Sequence, residues 1–233
     1  ENRLRRLPMD LFNSMIKLNK LNFFSLGMNY FKRLDDVFNL SESTLKELKQ
    51  DQKQKNLDPE TGVQIAQCLF PDLNHLEISY NLFESIEGTS TFKLICSTVS
   101  YLFLNNNRLT KITDKDFKGL TKLFTLDLQS NLISEIEPFA FQSCQLLGTI
   151  DLENNKLTSI PKMSFSRLRQ LKTLSLVGNQ IDHIDDDAFK DLKELDDLDI
   201  SNNKLGDLNL SKPFRHLSSL TVLNLSGNGI SQI

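Results

Sequence analysis

The chain has 233 residues, 39% hydrophobic and 24% charged, so its composition is that of a folded protein rather than a disordered one. Its net charge of −3 offers no basic field for nucleic acid, no apolar run approaches the length of a membrane span, and its three cysteines are too few for a disulfide scaffold. Leucine (42 residues) and asparagine (21 residues) are both abundant, although one favours a core and the other favours turns. This combination indicates an internal repeat.

The N-terminal part of the chain, residues 1–72, fits a repeating unit L-x-x-L-x-L-x-x-N-x-L-x-x-I only loosely. The chain begins in mid-unit, and the next unit opens at Leu18, which places Phe23 on the buried side of its strand and Leu26 at the asparagine position. A polar stretch at about 49–62 is predicted to be an extended loop. We interpret this part as degenerate repeats of one continuous solenoid; a domain boundary near residue 55 is the alternative.

From residue 73 onward the unit is regular, with steps of 24 to 26 residues. In each unit the L-x-L core alternates with period two, which predicts a short strand with one buried face. A single unit cannot bury that face alone, so stacked units are expected to form a parallel sheet over a continuous apolar interior. The sequence therefore predicts one α/β solenoid over 1–233, with seven regular repeats over 73–233. These repeats begin at Leu73, Val99, Leu123, Leu147, Leu171, Leu195 and Leu220.

Asparagine and phenylalanine also recur at fixed positions in the units. An asparagine follows each strand, where its side-chain amide can satisfy backbone groups of adjacent turns. A phenylalanine follows the last aliphatic residue by five positions and is expected to stack in a spine on the convex side. The asparagines are Asn81, Asn107, Asn131, Asn155, Asn179, Asn203 and Asn228. The phenylalanines are Phe117, Phe141, Phe165, Phe189 and, one residue late, Phe214.

These units resemble the leucine-rich repeat superfamily in its 24-residue subtype. The repeated phenylalanine is similar to the spine of extracellular members such as Toll-like receptors, Slit proteins, small leucine-rich proteoglycans and adhesion receptors. The resemblance implies a horseshoe with a concave parallel β-sheet and a convex side of loops and short helices. It also implies a non-catalytic protein-binding module of a glycoprotein that acts in recognition, signalling or innate immunity.

The resemblance places the protein outside the cell or at its surface, with secretion as an alternative. Because the chain begins and ends in mid-repeat, we expect it to be part of a longer ectodomain, so that any membrane attachment lies in flanking segments. A structural, matrix or homophilic adhesion protein and an intracellular leucine-rich-repeat adaptor are the alternative functions.

We find no constellation of residues for catalysis or cofactor binding. The sequence lacks a nucleophile elbow, a P-loop, H-E-x-x-H and C-x-x-C, so we expect neither enzymatic activity nor a cofactor. His183 lies among four aspartates, but without the spacing of a calcium loop, and a solvated turn is the preferred interpretation.

The cysteines and glycosylation motifs allow limited predictions. Cys144 replaces an aliphatic residue of the unit and is expected to be a buried thiol. Cys68 and Cys96 are separated by about one unit, so they either bridge adjacent turns or remain two buried thiols. The sequons at Asn39 and Asn209 permit glycosylation.

Strand alternation directs a row of variable residues to the concave face, where aromatic and acidic side chains recur. Exposed aromatic side chains are typical interface anchors, and an acidic face favours a basic partner. A sheet made polar for solubility, and coverage of Phe103 by another part of the molecule, are the alternatives. We predict a protein ligand or co-receptor, with a homodimer as alternative and no nucleic acid. The predicted partner-binding residues are His75, Glu77, Tyr101, Phe103, Phe124, Asp127, Asp151, Glu153 and Asp199.

Overall fold

A computed structural model describes residues 4–5, 20–32, 70, 72–86, 98–207 and 211–231. In chain order its strands are β1 (Phe23–Ser25), β2 (His75–Glu77), β3 (Tyr101–Phe103), β4 (Lys111–Ile112), β5 (Thr125–Asp127), β6 (Glu135–Ile136), β7 (Thr149–Asp151), β8 (Ser159–Ile160), β9 (Thr173–Ser175), β10 (His183–Ile184), β11 (Asp197–Asp199) and β12 (Val222–Asn224). A short helix, α1 (Ser211–Phe214), lies between β11 and β12. The predicted loop at about 49–62, the cysteines Cys68 and Cys96, and the sequons at Asn39 and Asn209 lie outside the described residues.

Eight of the strands form one parallel sheet in the order β1-β2-β3-β5-β7-β9-β11-β12. From β2 to β11 each of its strands buries the middle residue and leaves the first and third partly exposed. On the return paths between these strands, β4 pairs with β6 and β8 pairs with β10, both in parallel. This architecture confirms the predicted parallel-sheet solenoid.

The core is a column of aliphatic side chains that runs through the stacked units. Leu126, Ile150 and Leu174 are direct cross-strand neighbours, and all three are fully buried. Burial of one such side chain contributes about 1.5–3 kcal/mol, so each added unit extends the same apolar interior.

The asparagine ladder is present as predicted, and Asn155 shows its chemistry. The Asn155 Nδ2 donates to the carbonyl oxygens of Leu128 (3.0 Å) and Leu152 (3.1 Å), and its Oδ1 accepts the N–H of Ile133 (3.0 Å). One buried amide therefore satisfies the hydrogen-bonding needs of backbone groups on two turns. Without it, these groups would have no partner, because water cannot reach them.

The phenylalanine spine is also confirmed. The rings of Phe141 and Phe165 are 5.9 Å apart with an interplanar angle of 1°, and Phe165 stacks in turn on Phe189 at 6.1 Å. Phe214, which lies in α1, continues the stack on Phe189 at 6.0 Å despite its one-residue delay.

The predicted register of the N-terminal unit is wrong by three residues. Strand β1 pairs with β2 so that Phe24, not Phe23, lies opposite buried Leu76. The ladder position is therefore held by Asn29, whose Nδ2 donates to the carbonyl oxygen of Leu26 at 3.0 Å. The wrong register was predicted because Leu21 fits the second position of the unit in one alignment and the first position in the other.

Although β1 and β2 are adjacent in the sheet, they are far apart in sequence. The Ser25 Oγ donates to the Glu77 Oε2 at 2.8 Å across 52 positions of sequence. This is about two repeat lengths, although the two strands are direct neighbours in the sheet. One continuous solenoid over 1–233 stays a prediction.

Candidate functional site

The exposed face of the eight-stranded sheet presents two rows of side chains. The first residues of the strands form the strand-start row, and the third residues form the strand-end row. Both rows run across the strands, because residues of equal position are cross-strand partners. The strand-start row contains Phe23, His75, Tyr101, Thr125, Thr149, Thr173, Asp197 and Val222. The strand-end row contains Ser25, Glu77, Phe103, Asp127, Asp151, Ser175, Asp199 and Asn224.

Four rings lie side by side along the strand-start edge, and we call them the aromatic strip: Phe23, His75, Tyr101 and Phe124. The rings of His75 and Tyr101 stack with centroids 4.3 Å apart and planes 10° from parallel. Phe23 lies 6.0 Å from His75 on one side, and Phe124 contacts Tyr101 edge-on at 6.5 Å on the other. Phe23 is 55% exposed and Phe124 46% exposed, so the strip offers apolar surface to a partner.

Gly148 provides the space for the last ring of the strip. A Cβ at this position would lie 2.5 Å from the Phe124 Cε2, which is closer than side-chain carbons approach. The absence of a side chain at Gly148 therefore allows Phe124 to lie across the start of β7.

Carboxylates occupy much of the strand-end row, and three of them shape their own turns. Asp127, Asp151 and Asp199 each accept, through Oδ1, the N–H of the residue two positions later, at 2.9, 2.9 and 2.8 Å. A short carboxylate at this position is suited to such a turn. These aspartates thus combine a local structural use with exposure on the face.

The electrostatic environment of these aspartates differs along the row. Burial raises the pKa of Asp127, the hydrogen bond from the Gln129 N–H opposes this shift, and the charges of Asp151 and Glu153 add to it. Burial also raises the pKa of Asp151. At Asp199, burial acts in the same direction, but hydrogen bonds from Ser201 and from Asn224 outweigh it and lower the pKa. At the centre of the row, the backbone hydrogen bond to each aspartate therefore offsets only part of the effect of burial on its pKa.

Ion pairs in the described part of the chain lie away from this face. Lys111 contacts Glu135 and Glu137 at 3.2 and 2.7 Å, and Arg215 contacts Asp187 at 2.7 Å. Among the described residues, none of the carboxylates of the strand-end row forms an ion pair. A partner with positive charge could therefore pair with carboxylates that have no cation beside them in the described part of the chain.

The structure brings all nine predicted partner-binding residues to one face. Phe124 precedes β5 by one residue, and Glu153 follows β7 by two, with its backbone N–H held by Asp151. The other seven are members of the two rows: His75, Tyr101, Glu77, Phe103, Asp127, Asp151 and Asp199. Their role in binding remains a prediction.

Phe23 was missed as a candidate, although it is the most exposed ring of the aromatic strip. The signal that could have found it is the alternative match of the unit, Leu21–Phe24–Leu26–Asn29, which turns Phe23 to the concave face.

The structure indicates no metal centre within the residues that it describes. No group of three or more potential metal-ligating side chains converges there. His183 lies 3.9 Å from Asp185 at the surface, while Asp186 and Asp187 pair with Lys212 and Arg215. In the same part of the chain, no helix has the length and apolar character needed to cross a bilayer.

Comparison of the sequence with family models supports the fold. The leucine rich repeat model matches residues 71–133, 125–181 and 169–230. The chain belongs to the leucine-rich repeat family. The matched ranges together span β2 to β12, which includes most of the face described above.

Two relatives of this leucine-rich repeat chain are opticins. Human opticin is 51% identical over 43 residues, which are 18% of this chain and 13% of opticin. Dog (Canis lupus familiaris) opticin is 49% identical over 45 residues, which are 19% of this chain and 14% of opticin. The similarity thus spans less than two repeats.

Solved structures show the same solenoid over nearly the whole leucine-rich repeat chain. A TLR13–ssRNA13 complex matches with a TM-score of 0.75 and 22% identity over 99% of this chain and 27% of the other. The Drosophila Toll–Spatzle complex matches with a TM-score of 0.72 and 24% identity over 97% of this chain and 30% of the other. The chain therefore spans less than a third of either protein chain, and at this identity the likeness shows the fold.

Proposed function

We propose that this chain is a non-catalytic recognition module of an extracellular leucine-rich-repeat receptor or secreted factor, and that it binds a protein partner through its concave face. One observation carries the proposal. The aromatic strip lies on the same exposed sheet face as carboxylates that form no ion pair among the described residues. Exposed aromatic anchors beside unmatched charge are typical of interfaces.

The chemistry of the face favours a basic partner. Asp127 and Asp151 have raised pKa values, which a nearby Lys or Arg would lower again by favouring the ionised form. The same carboxylates would repel phosphate groups, so we do not extend the RNA of the TLR13 complex to this chain.

Selection from a random twelve-residue peptide library displayed on phage tests the proposal with the full chain as bait. We expect the enriched peptides to be rich in Lys and Arg. Their affinity should fall about tenfold or more for Asp127→Lys, because a charge on the face is reversed. Glu194→Lys makes the same charge change at an exposed position outside the two rows, and is expected to leave the affinity unchanged. Equal affinity for both variants, or no enrichment, would refute the concave site.

A second candidate is a structural or matrix protein whose homophilic contacts use the exposed aromatic strip. Sedimentation velocity of the full chain separates the two. A tight homodimer that Tyr101→Ala dissociates would favour the homophilic function, whereas a monomer that binds the selected peptides favours recognition of a different protein.

The extracellular location is part of the proposal and rests on the resemblance of the phenylalanine spine to that of extracellular members. Expression in a eukaryotic secretory system should give a glycoprotein with Asn39 or Asn209 occupied. Mass spectrometry after glycosidase treatment measures this occupancy. Unoccupied sequons together with reduced Cys68 and Cys96 would favour the intracellular adaptor instead.

A further inference from the structure

The two rows of the concave face run in parallel and differ in chemistry. Successive members of a row are one strand spacing apart, about 4.8 Å, and the rows are separated by two residues of extended chain, about 6.8 Å. Between β1 and β7 the strand-start edge carries the aromatic strip. In the same strands the strand-end row carries Ser25, Glu77, Phe103, Asp127 and Asp151, so three of its five members are carboxylates.

A partner element that uses both rows at once needs two adjacent stripes of side chains on one surface. An extended peptide laid across the strands turns only alternate side chains toward the sheet, so it presents a single stripe. An α-helix places residues three and four apart as neighbours, with Cβ atoms about 5–6 Å apart, and so presents adjacent stripes. Its pitch of about 5.4 Å is also close to the strand spacing, so that one turn can face each strand.

We propose that the partner presents a basic amphipathic helix, which lies across strands β1 to β7 with its apolar stripe on the aromatic strip and its Lys or Arg stripe on Glu77, Asp127 and Asp151. This inference rests on the proposed function and specifies the partner that the face accepts. Four strand spacings are about 19 Å, which corresponds to about 13 residues of helix.

Charge complementarity determines that the charged side chains of the partner helix are positive. The three carboxylates form no ion pair among the described residues, and Asp127 and Asp151 are direct cross-strand partners. A helix with an acidic stripe would place negative charge beside these carboxylates. The resulting repulsion would weaken binding by more than an aromatic contact strengthens it. An apolar helix without cations would bury the carboxylates unpaired.

Three synthetic peptides of about 14 residues test the inference at physiological salt. The first is a Leu/Lys peptide with leucines at helical spacing. The second has the same composition in strict alternation, which favours a strand, and the third replaces each lysine of the first with glutamate. Isothermal titration with the full chain should show the first binding about tenfold or more tightly than the second, and no binding of the third.

Two pairs of variants locate the helix. Asp127→Asn lies within the proposed footprint, whereas Asp182→Asn makes the same charge change at an exposed position outside the two rows. We expect the first to weaken binding of the helical Leu/Lys peptide about tenfold and the second to change it less than twofold. Tyr101→Ala should also weaken it about tenfold, whereas Thr173→Ala, in the same row on β9, should not. Circular dichroism and thermal melting verify that each variant is folded.

Equal binding of the helical and alternating Leu/Lys peptides would overturn the inference, because it would indicate diffuse charge attraction. Equal losses in Asp127→Asn and Asp182→Asn, or no binding of the helical peptide, would also overturn it. The proposed function fails separately, since it requires only that peptides selected from the library lose affinity in Asp127→Lys. If the selected peptides bind but lack helical periodicity, the proposed recognition function is retained and the proposal of a helical partner is refuted.

Discussion

Asp127 and Asp151 are direct cross-strand partners on β5 and β7, and each uses its Oδ1 to accept the N–H of the residue two positions later. The two carboxylates are thus held in similar geometry on neighbouring strands, where like charges directly opposite each other destabilise a sheet. Burial raises the pKa of both groups, and Asp151 adds to the shift at Asp127. The pair therefore has a cost in folding that depends on pH.

Replacement of Asp127 by Asn should stabilise the fold at pH 7 by about 0.2–1 kcal/mol, because it removes the repulsion and keeps an Oδ1 acceptor. Asn224, in the same strand position on β12, makes the equivalent bond to Ser226 at 3.1 Å. The pKa of Asp127 is above 3.8 in the folded state, so the wild type loses stability as pH rises through the window above 3.8. Urea unfolding at several pH values should show the advantage of the variant disappearing below that window.

Asp199→Asn provides the opposite case. The pKa of Asp199 is lowered below 3.8, so its charge stabilises the folded state above that value, and the contribution is lost as pH falls through the folded pKa. The variant should therefore be less stable than the wild type at pH 7. Stabilisation by both substitutions would contradict the assignment of different environments to the two aspartates.

The phenylalanine spine should account for a large share of stability per side chain. Phe165 is 1% exposed between two stacked rings, so Phe165→Ala leaves a cavity and should lower the free energy of unfolding by about 3–5 kcal/mol. Phe124→Ala is the matched control, because that ring is 46% exposed, and its cost should stay below about 1 kcal/mol. Chemical denaturation measures both; a similar loss in the two variants would mean that the spine is not a structural element.

The asparagine ladder predicts a strong contrast between adjacent residues. Asn155→Ala removes the partners of three buried backbone groups and should cost at least about 2 kcal/mol. Asn154→Gly changes an exposed neighbour with φ of 55°, a conformation that glycine adopts freely, and should change stability by less than about 0.5 kcal/mol. Thermal unfolding of the two variants compares them directly.

The sheet, the ladder and the spine could be predicted from the sequence because each depends on one residue type recurring at one position of a regular unit. The register of β1 could not, since the leucines and the Phe23–Phe24 pair fit two alignments, and only the pairing of Phe24 with Leu76 decides between them. Because the predicted register assigned Phe23 to the buried side of its strand, Phe23 was not among the predicted partner-binding residues.

The composition of the concave face could also be predicted, but its energetics could not. Asp127 and Asp199 occupy the same position of their units, yet their pKa values move in opposite directions. Burial is the largest influence on both groups and raises both pKa values. At Asp199 hydrogen bonds from Ser201 and Asn224 outweigh burial, whereas at Asp127 the single bond from the Gln129 N–H does not, and the charges of Asp151 and Glu153 add to the shift. Likewise, the sequence places His75 beside Tyr101 but does not determine that their rings stack.

Gly148→Ala should impair binding without loss of the fold. The new methyl group would meet the Phe124 ring, which can move because it is exposed, so stability should change by less than about 1 kcal/mol. The displaced ring no longer extends the aromatic strip, and affinity for the peptides selected from the library should fall about fivefold to tenfold. Isothermal titration measures the affinity, and Gly206→Ala, at a glycine with no atoms near the added Cβ, serves as a control for binding. Unchanged affinity in Gly148→Ala would show that Phe124 does not belong to the partner site.

Cysteine labelling should separate three thiols that the sequence alone cannot distinguish. Burial raises the pKa of the Cys144 thiol to about 12, so it should resist iodoacetamide at pH 8 in the folded chain and react fully in urea. If Cys68 and Cys96 form a bridge rather than two buried thiols, mass spectrometry after unfolding without reductant should find only Cys144 modified. Modification of all three cysteines would show that Cys68 and Cys96 are free thiols. Rapid labelling of Cys144 in the folded chain would contradict its burial.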